Sequence, residues 1–545
     1  MNIIFAKINN FSSTVFKSQN GRTADSVKPE QPVTNTIAVY GDSEIRTNPA
    51  QLSLFHMHDF HGQSIRMERA FSAIEQFDKG ELQNQDDVFD KNMPIDRLKF
   101  CSGDMFLGEN HDETEVVNEF LNVAGVLADT VGNHECDTYI DDFAKVVENR
   151  KYRFLGANMH PDRSSKMNLL LSGSLIVEIN GNKYGIIGLA PEDMANHMKR
   201  PEEVEAFNIS DIEGTIKDLK SEIEKIKENG VNKIILLSHL GLPNEKYIAQ
   251  NVSDIDIILG GHTHNLITEV KKGENLFTSP KGEPVLIMQV GRDGEYIGIP
   301  NIKFNELGQI TGIQYNVLKT DGFARSILAK HDFERILGRP EVVGEIDYAE
   351  EPPKDIYVGE NPHCNFILDC LRDELDTDIA IMNSANIRSK FYEGDVDTRD
   401  LRLISPFANK VVVIQATEKE IVDGIKKRLK ITMESPVHRP GVLQVSGLKY
   451  EFYKNNGELK SLSFIDKEGI EHIIDIDNPD KERFYTVAVD DYCAESKSGG
   501  LGLKHRVDEA LQKFDCDKDE FVAAFLRKQN SPVQIKSDGR IISID

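Results

Sequence analysis

The chain has 545 residues and a formal net charge of −26, because 90 Asp and Glu residues outnumber 64 Lys and Arg residues. The length allows two to four domains, and 39% hydrophobic with 28% charged residues is typical of a globular protein. The negative charge argues against a nucleic-acid partner, because binding to phosphate backbones requires a basic surface. No stretch approaches the roughly 20 apolar residues that span a bilayer.

Residues 1–50 are rich in Ser, Asn, Thr and Gln, which predicts a flexible N-terminal extension. They contain no apolar core followed by a cleavage site, so we expect no signal peptide and a cytoplasmic location. The six cysteines are scattered without a CxxC pair, which favours free thiols over a disulfide framework.

Between residue 51 and about residue 305, short apolar runs alternate with amphipathic segments. The amphipathic segments 65–77 and 211–230 predict helices, and in the second one apolar residues recur at three- and four-residue steps up to Gly230. This alternation predicts an α/β domain, which we place at residues 51–318. Strands are expected in the runs at 51–57, 97–103, 126–132, 151–158, 183–190, 233–239, 254–261 and 283–291.

Residues 319–355 are more polar and contain one helical patch, at 325–337, followed by EEPPKD, so we expect a linker there. Helix and strand patterns resume over residues 356–545, which predicts a second α/β or α+β domain. Near its end, Asp515–Asp519 resembles a calcium loop, but Leu526 occupies the place of the final Glu. This segment is instead interpreted as the solvated start of a helix.

Five predicted strands of the first domain run directly into polar residues of the types that bind metals. Because the carboxyl ends of parallel strands meet at one edge, α/β sheets build active sites there. Carboxylate, imidazole and amide ligands without a thiolate suit Mn²⁺, Zn²⁺, Fe or Co. The candidates are Asp59, His61, Asp104, Asn133, His134, His239, His262 and His264, while His56 and His58 are expected to flank the site.

These motifs, in order DxH, GDxxxG, GNHE, a lone His and GHxH, resemble the calcineurin-like metallophosphoesterase superfamily. The second half resembles the 5′-nucleotidase family, whose two-domain members include periplasmic 5′-nucleotidases and UDP-sugar hydrolases. The motifs there are Asn383–Arg388, Pro406–Asn409, Gln444–Gly447 and Gly499–Gly500. The resemblance implies a four-layer α/β/β/α catalytic domain followed by an α/β substrate-binding domain. It also makes a periplasmic or secreted location the alternative to a cytoplasmic one.

The resemblance further implies two divalent metal ions, Mn²⁺, Zn²⁺ or similar, and a bridging hydroxide for in-line attack on a phosphoryl group. His134 is then expected to protonate the leaving oxygen, with Asp137 orienting its ring. One metal is expected on Asp59, His61, Asp104 and His264, and the other on Asp104, Asn133, His239 and His262.

In the second domain, the resemblance assigns substrate binding to Asn383, Arg388 and Tyr492. Several positions depart from the family pattern, and two of them concern the nucleoside: Val442 replaces an aromatic ring of the base clamp, and Leu501 replaces the Asp that binds ribose. The expected function is therefore a phosphomonoesterase of the 5′-nucleotidase type acting on a small phosphorylated substrate.

Three alternatives to this function are left open. One is a phosphatase of a non-nucleotide metabolite such as a sugar phosphate or phosphoglycerate. Another is hydrolysis of cyclic phosphodiesters or nucleotide sugars, and the most remote is an inactive binding protein. The sequence leaves the oligomeric state open.

Overall fold

The computed structural model describes residues 4–7, 33–36, 45–82, 88–107, 111–137, 139–194, 207–407, 409–434, 441–496 and 500–545. The chain divides into two compact units, Met1–Gly338 and Arg339–Asp545. Ala408 and Gly499, which belong to the motifs quoted above, lie outside the described residues.

The first unit contains two large sheets. The eight-stranded sheet has the order β2-β15-β14-β3-β4-β5-β6-β7, and the seven-stranded sheet has the order β1-β8-β9-β10-β11-β13-β12. The strands are β1 Ile4–Lys7, β2 Val33–Thr36, β3 Ala50–Met57, β4 Ile95–Cys101, β5 Ala128–Thr130, β6 Arg153–Leu155, β7 Leu171–Ser172, β8 Ser174–Ile179, β9 Asn182–Leu189, β10 Ile234–Ser238, β11 Ile257–Leu259, β12 Leu276–Thr278, β13 Pro284–Met288, β14 Tyr296–Phe304 and β15 Ile310–Lys319.

Helices cover the outer faces of both sheets. Those of the first unit are α1 Ser64–Lys79, α2 His111–Ala124, α3 Ile140–Val146, α4 Met167–Leu170, α5 Ile212–Lys227, α6 Leu242–Asn251 and α7 Ile327–Leu337. The predicted helix at 211–230 is α5; the side chain of Asp211 accepts a hydrogen bond from the Gly214 N–H at its start. The helix ends at Lys227, and Gly230 adopts a left-handed conformation three residues later.

Alternation of buried side chains along the strands shows how the layers pack. In β3, Leu52 and Leu54 join a core cluster shared with the facing sheet, whereas Phe55 and Met57 join the cluster under α1 and α2. Strand β10 alternates in the same way between the shared cluster and a third cluster under α5 and α6. The first unit is therefore the predicted four-layer α/β/β/α arrangement.

Each predicted apolar run of the first domain contains an observed strand. The structure adds strands that were not predicted, including the edge strands β1 and β2 within the expected flexible extension of residues 1–50. The rest of that extension, up to residue 44, lies outside the described residues.

The division between the units falls inside the predicted linker 319–355. Helix α7 belongs to the first unit, where Phe333 packs in the core beside α1 and α2. Strand β16, Val342–Ala349, belongs to the second unit, where it pairs with two other strands. The polar segment between them, residues 338–341, is therefore shorter than the linker that the sequence suggests.

The second unit contains three sheets, of five, four and three strands, with orders β20-β17-β24-β19-β25, β23-β22-β21-β27 and β18-β16-β26. Its further strands are β17 Ile379–Asn383, β18 Gly394–Asp397, β19 Val411–Thr417, β20 Leu443–Ser446, β21 Leu448–Tyr453, β22 Leu459–Ile465, β23 Glu471–Ile473, β24 Phe484–Asp490, β25 Gln512–Lys513, β26 Val533–Ile535 and β27 Ile541–Ile544. Its helices are α8 Pro362–Glu374, α9 Thr398–Ile404, α10 Glu418–Glu434, α11 Asp491–Glu495, α12 Lys504–Asp508 and α13 Lys518–Lys528.

The six cysteines are free thiols, five of them buried, as the sequence predicts. Among the described residues, none of the helices combines the length and the apolar character needed to cross a membrane.

Candidate metal centre

The predicted ligands lie at the carboxyl edges of both large sheets. Strands β3, β4 and β5 are parallel neighbours in one sheet, and β10 and β11 are parallel neighbours in the other. The loops after these five strands meet at these edges. They bring together all seven predicted ligands: Asp59, His61, Asp104, Asn133, His239, His262 and His264.

Asp59 directs one carboxylate oxygen into this cluster. Its Oδ2 accepts the backbone N–H of His262 at 3.0 Å and also bonds to Nδ1 of His58. Its Oδ1 lies 3.2 Å from Nε2 of His264 and 3.7 Å from Nε2 of His61. The hydrogen bonds to Oδ2 orient the carboxylate, and Oδ1 faces His61 and His264, the two histidines predicted to share its metal.

Asp104 is held in the same way. Its Oδ1 accepts the backbone N–H of His134 at 2.8 Å, and its Oδ2 lies 3.1 Å from Nε2 of His239 and 3.7 Å from Nε2 of His61. His61 and His239 belong to the two different predicted metal positions. Oδ2 of Asp104 therefore faces one histidine from each of the two predicted positions.

Hydrogen bonds determine which nitrogen of His61 and of His239 faces the cluster. Nδ1 of His239 donates to the carbonyl of Ser102 at 2.6 Å, and Nδ1 of His61 bonds to Oδ1 of Asp293 at 2.8 Å. Both Nε2 atoms consequently point toward the aspartates, where a neutral ring would offer its lone pair to a cation. At the second predicted metal position, Nδ1 of His262 lies 3.1 Å from Oδ1 of Asn133.

The backbone of the site is strained. Ten non-glycine residues of the described chain have positive φ angles, and five of them are predicted ligands. A positive φ is unfavourable for most side chains and persists where the surroundings enforce it, often at functional sites. The five ligands are Asp59 (49°), His61 (48°), Asp104 (51°), His262 (73°) and His264 (56°).

Glycines allow the loops to approach the ligands closely. A Cβ at Gly132 would lie 2.2 Å from Oδ1 of Asp104, and one at Gly103 would lie 2.5 Å from Nδ1 of His239. Neither position can accept a side chain without displacing a ligand. This close approach explains why the ligands are flanked by glycines in the sequence.

His134 and Asp137 form the predicted pair. Nδ1 of His134 bonds to Oδ2 of Asp137 at 2.7 Å, so the carboxylate can orient the ring as expected. The His134 ring centroid lies 5.1 Å from that of His61, at the rim of the cluster. His134, His61 and Asp104 also form a group whose ligand atoms lie within 4.8 Å of one another. A metal-binding role for His134 is thus geometrically possible as well.

The electrostatics of the cluster are those of closely packed opposite charges. Burial alone would raise the pKa of Asp59, but His264 and His239 hold it well below its usual value. Burial opposes protonation of His239, but Asp104 and Asp59 raise its pKa to about 10. Burial lowers the pKa of His264 to about 4. The two carboxylates are therefore strongly attractive to positive charge at this position.

Two buried carboxyl groups accept hydrogen bonds from the backbone of the loops that carry Asp104 and Asn133. Glu135 accepts the backbone N–H groups of Asp104 at 3.0 Å and Gly132 at 2.7 Å, and Asp129 accepts that of Gly103 at 2.9 Å. Burial raises the pKa of Glu135 to about 8 and that of Asp129 to about 7. They hold the two glycine-containing loops in register with each other.

In the second unit, the predicted substrate residues share one sheet edge. Asn383 ends β17 and Tyr492 follows β24, and these strands are parallel neighbours. Asn383 is buried, and its side-chain Oδ1 accepts no hydrogen bond from any described residue. Arg388 lies on the segment that follows β17 and places its guanidinium 5.3 Å from the ring centroid of Phe407. The Tyr492 side chain is 48% exposed, so its ring is available for stacking.

The two departures at the expected nucleoside contacts are buried. Val442, just before β20, is fully buried in the core cluster of the second unit, and Leu501 is 5% exposed in the same cluster. Leu501 packs closely on Gly424, because a Cβ added to Gly424 would lie 2.7 Å from Cδ2 of Leu501. These two side chains therefore serve the core and present no polar or aromatic surface.

Comparison with family models agrees with this two-part organisation. The model described as calcineurin-like phosphoesterase matches residues 52–266, and that described as 5′-nucleotidase, C-terminal domain, matches residues 342–505. The chain belongs to the calcineurin-like phosphoesterases of the 5′-nucleotidase family. The family resemblance of the sequence motifs is therefore confirmed. This family consists of hydrolases that act on phosphoester bonds.

Individual relatives are distant in sequence. The trifunctional nucleotide phosphoesterase protein YfkN of Bacillus subtilis is 25% identical over 74% of this chain but only 29% of its own length. The 5′-nucleotidase of Mus musculus is 26% identical over 78% of this chain and 77% of its own. A 5′-nucleotidase precursor from Thermus thermophilus shares the fold, with a TM-score of 0.65 at 21% identity, over 91% of this chain and 99% of the other.

The donor set fits the divalent metals that calcineurin-like phosphoesterases use. Oδ1 of Asp59, Nε2 of His61 and Nε2 of His239 are buried and lack hydrogen-bond partners among the described residues. Leaving such atoms unpaired is costly unless another group satisfies them. All three face the same small volume, and a cation there would bind each of them.

Several supporting residues were not predicted as part of the site. Glu135 lies within the GNHE motif, and its role as acceptor for the loop N–H groups depends on tertiary contacts. Asp293 follows β13, which is parallel to β11, and is flanked by glycines in the sequence Gly-Arg-Asp-Gly. This pattern of an apolar run ending in Asp between glycines is the same signal that identified Asp104. His58 flanks the site as predicted, bonded to Asp59.

Proposed function

We propose that the protein is a divalent-metal-dependent phosphomonoesterase of the 5′-nucleotidase type. The observation that carries this proposal is the convergence of Asp59, His61 and His239 on one buried volume, with ligand atoms that form no hydrogen bond among the described residues. The proposal assigns one ion to Asp59, His61, Asp104 and His264 and the other to Asp104, Asn133, His239 and His262. Bound there, the ions would activate a water molecule and neutralise charge on the phosphoryl group.

The chain's own residues then have distinct roles. Asp104 presents Oδ2 to both halves of the site, while the His134 N–H prevents its rotation. His134 donates a proton from Nε2 to the leaving oxygen, because its Nδ1 is engaged by Asp137. Glu135 keeps the loops carrying Asp104 and Asn133 in register through its bonds to backbone N–H groups.

The substrate class follows from the second unit. Arg388 and Asn383 suit an anionic substrate, because a guanidinium forms paired hydrogen bonds with phosphate or carboxylate. Tyr492 could stack on a base, as expected for a nucleotide. The named activities of relatives, nucleotide phosphoesterase and 5′-nucleotidase, support nucleotides as the first substrates to test.

A non-nucleotide phosphomonoester is the second candidate. It is favoured by the burial of Val442 and Leu501, since these positions offer neither a second stacking ring nor a carboxylate for ribose. Losing one stacking ring would remove on the order of 1–3 kcal/mol of binding. A sugar phosphate or phosphoglycerate would not depend on those contacts. The cellular location stays a prediction.

Phosphate release by the purified full-length protein loaded with Mn²⁺ tests the proposal. The panel contains nucleoside monophosphates, nucleotide sugars, cyclic nucleotides, sugar phosphates and phosphoglycerates, with Asp104→Ala as the inactive control. Preference for nucleoside monophosphates supports the first candidate, and preference for sugar phosphates or phosphoglycerates supports the second. Failure to hydrolyse any phosphoester would contradict both and favour a binding protein.

A further inference from the structure

Asp293 lies in the turn that follows β13, with its side chain only 2% exposed. Its Oδ1 lies 2.8 Å from Nδ1 of His61. A carboxylate accepts hydrogen bonds, so this contact places the ring proton of His61 on Nδ1. Nε2 is left with its lone pair directed at Asp59 Oδ1 and Asp104 Oδ2, each 3.7 Å away.

The backbone of Asp293 is tied to the same loop. Its N–H donates to the carbonyl of Asp59 at 2.5 Å, and its own carbonyl accepts from Arg66 at 2.7 Å. Its φ angle of 52° is strained for a non-glycine residue, like those of the neighbouring ligands. One residue therefore holds Asp59 through its main chain and His61 through its side chain.

The second oxygen of the carboxylate is also engaged. Oδ2 of Asp293 lies 3.2 Å from Nε of Arg292, whose side chain is 17% exposed. The guanidinium offsets the negative charge of a carboxylate that is otherwise shielded from water. Asp293 is thus fixed from both oxygens, which leaves the His61 ring little rotational freedom.

We propose that Asp293 is a positioning residue that orients His61 and strengthens its Nε2 as a metal ligand. A carboxylate bonded to the far nitrogen of a metal-binding histidine fixes the ring and raises its basicity. The inference rests on the proposed function, because it requires a metal at His61. Asp293 acts on the ion held by Asp59, His61 and His264, and not on the ion held by Asn133, His239 and His262.

Binding of Mn²⁺ to the metal-free full-length protein tests this selectivity. Asp293→Gly removes the carboxylate while tolerating the positive φ, and Asp293→Asn retains an oxygen that can accept from His61. Asp376→Gly is the matched control, because Asp376 has a φ of 51° and is exposed in the second unit, paired with Lys467. Titration calorimetry reports both Mn²⁺ affinities, and circular dichroism reports the melting temperature.

We expect Asp293→Gly to bind one Mn²⁺ about 10- to 100-fold more weakly and the other within about threefold of wild type. Asp293→Asn should recover most of the loss, and the control should match wild type. Unchanged Mn²⁺ affinities in Asp293→Gly would overturn the inference. Equal weakening of both ions with a lowered melting temperature and no recovery in Asp293→Asn would also overturn it. A wild-type protein that binds no Mn²⁺ would refute the proposed function as well.

Discussion

His134 offers the sharpest test of the chemistry, because its two possible roles have different consequences. If it protonates the leaving oxygen, His134→Ala should retain both metals and lower kcat by roughly 10²–10⁴-fold, the usual contribution of general acid–base catalysis. If it binds a metal with His61 and Asp104, as the 4.8 Å grouping permits, the same variant should lose an ion. Metal content by mass spectrometry separates the two roles.

The size of the Asp137 contribution follows from its hydrogen bond. The 2.7 Å contact from His134 Nδ1 to Asp137 Oδ2 joins side chains that are 19% and 17% exposed. A hydrogen bond to a charged group contributes about 1.5–3 kcal/mol, and partial exposure places this one near the lower limit. Since about 1.36 kcal/mol corresponds to a tenfold change in rate, Asp137→Ala should lower kcat by roughly 10- to 50-fold.

The choice of substrate isolates the proton transfer. p-Nitrophenolate leaves without protonation, whereas the alkoxide of adenosine 5′-phosphate needs a proton. The loss caused by His134→Ala should therefore be much smaller with p-nitrophenyl phosphate than with adenosine 5′-phosphate. An equal loss on both substrates, with both metals retained, would refute the general-acid assignment.

Three further predictions concern the bridge, the metals and a buried ion pair. Asp104→Ala should empty or disorder both metal positions, and two ions per chain in that variant would exclude a bridging role. Removal of metals by a chelator should abolish phosphate release, and Mn²⁺ should restore it; activity that survives chelation would contradict the metal requirement. Lys518→Met should destabilise the protein by about 3–5 kcal/mol, because it leaves Asp490 buried without its 3.2 Å partner. Lys518→Met/Asp490→Asn should recover most of that loss in denaturant unfolding, and no recovery would refute the ion-pair explanation.

The same ion pair has a defined pH dependence. Burial lowers the pKa of Lys518, but Asp490 and Asp517 outweigh it, and the net pKa is above the usual value. Because the pKa of Lys518 is higher in the folded than in the unfolded protein, its ion pair contributes fully to the free energy of unfolding below about pH 10.4. This contribution is lost as the pH rises through the folded pKa. Wild-type stability should fall more steeply than that of Lys518→Met above this pH. If denaturant unfolding showed that the stabilities of wild type and Lys518→Met fall equally with pH, the predicted direction of the pKa shift would be wrong.

The burial of Lys518 is a feature that the local sequence pattern did not predict. The segment Asp515–Asp519 was predicted to start a solvated helix, and α13 does begin at Lys518 with Asp517 as its N-cap. The prediction that this helix start is solvated is wrong for Lys518, which is 2% exposed. The partner Asp490 also accepts from Asn386, so the pair ties α13 to the edge that carries Asn383. Nothing local to residues 515–519 indicates a partner 28 residues earlier in the chain.

The sequence by itself determined the features that depend on neighbouring residues. Short apolar runs ending in Gly, Asp, Asn or His identified the strands and the seven predicted ligands, because strand formation and side-chain direction are local properties. The order of the motifs identified the family, and the family models confirm it. The departures at Val442 and Leu501 were also visible, although not their burial.

Only the tertiary structure decided what depends on contacts between distant segments. It packed two sheets face to face, so that the loops after β3–β5 meet those after β10 and β11. It selected Oδ2 of Asp104 as the oxygen facing both predicted metal positions, and it brought Asp293 to His61 across 232 residues. Such pairings arise from packing of the whole core, which no local pattern encodes, and they orient the ligands that the sequence had already supplied.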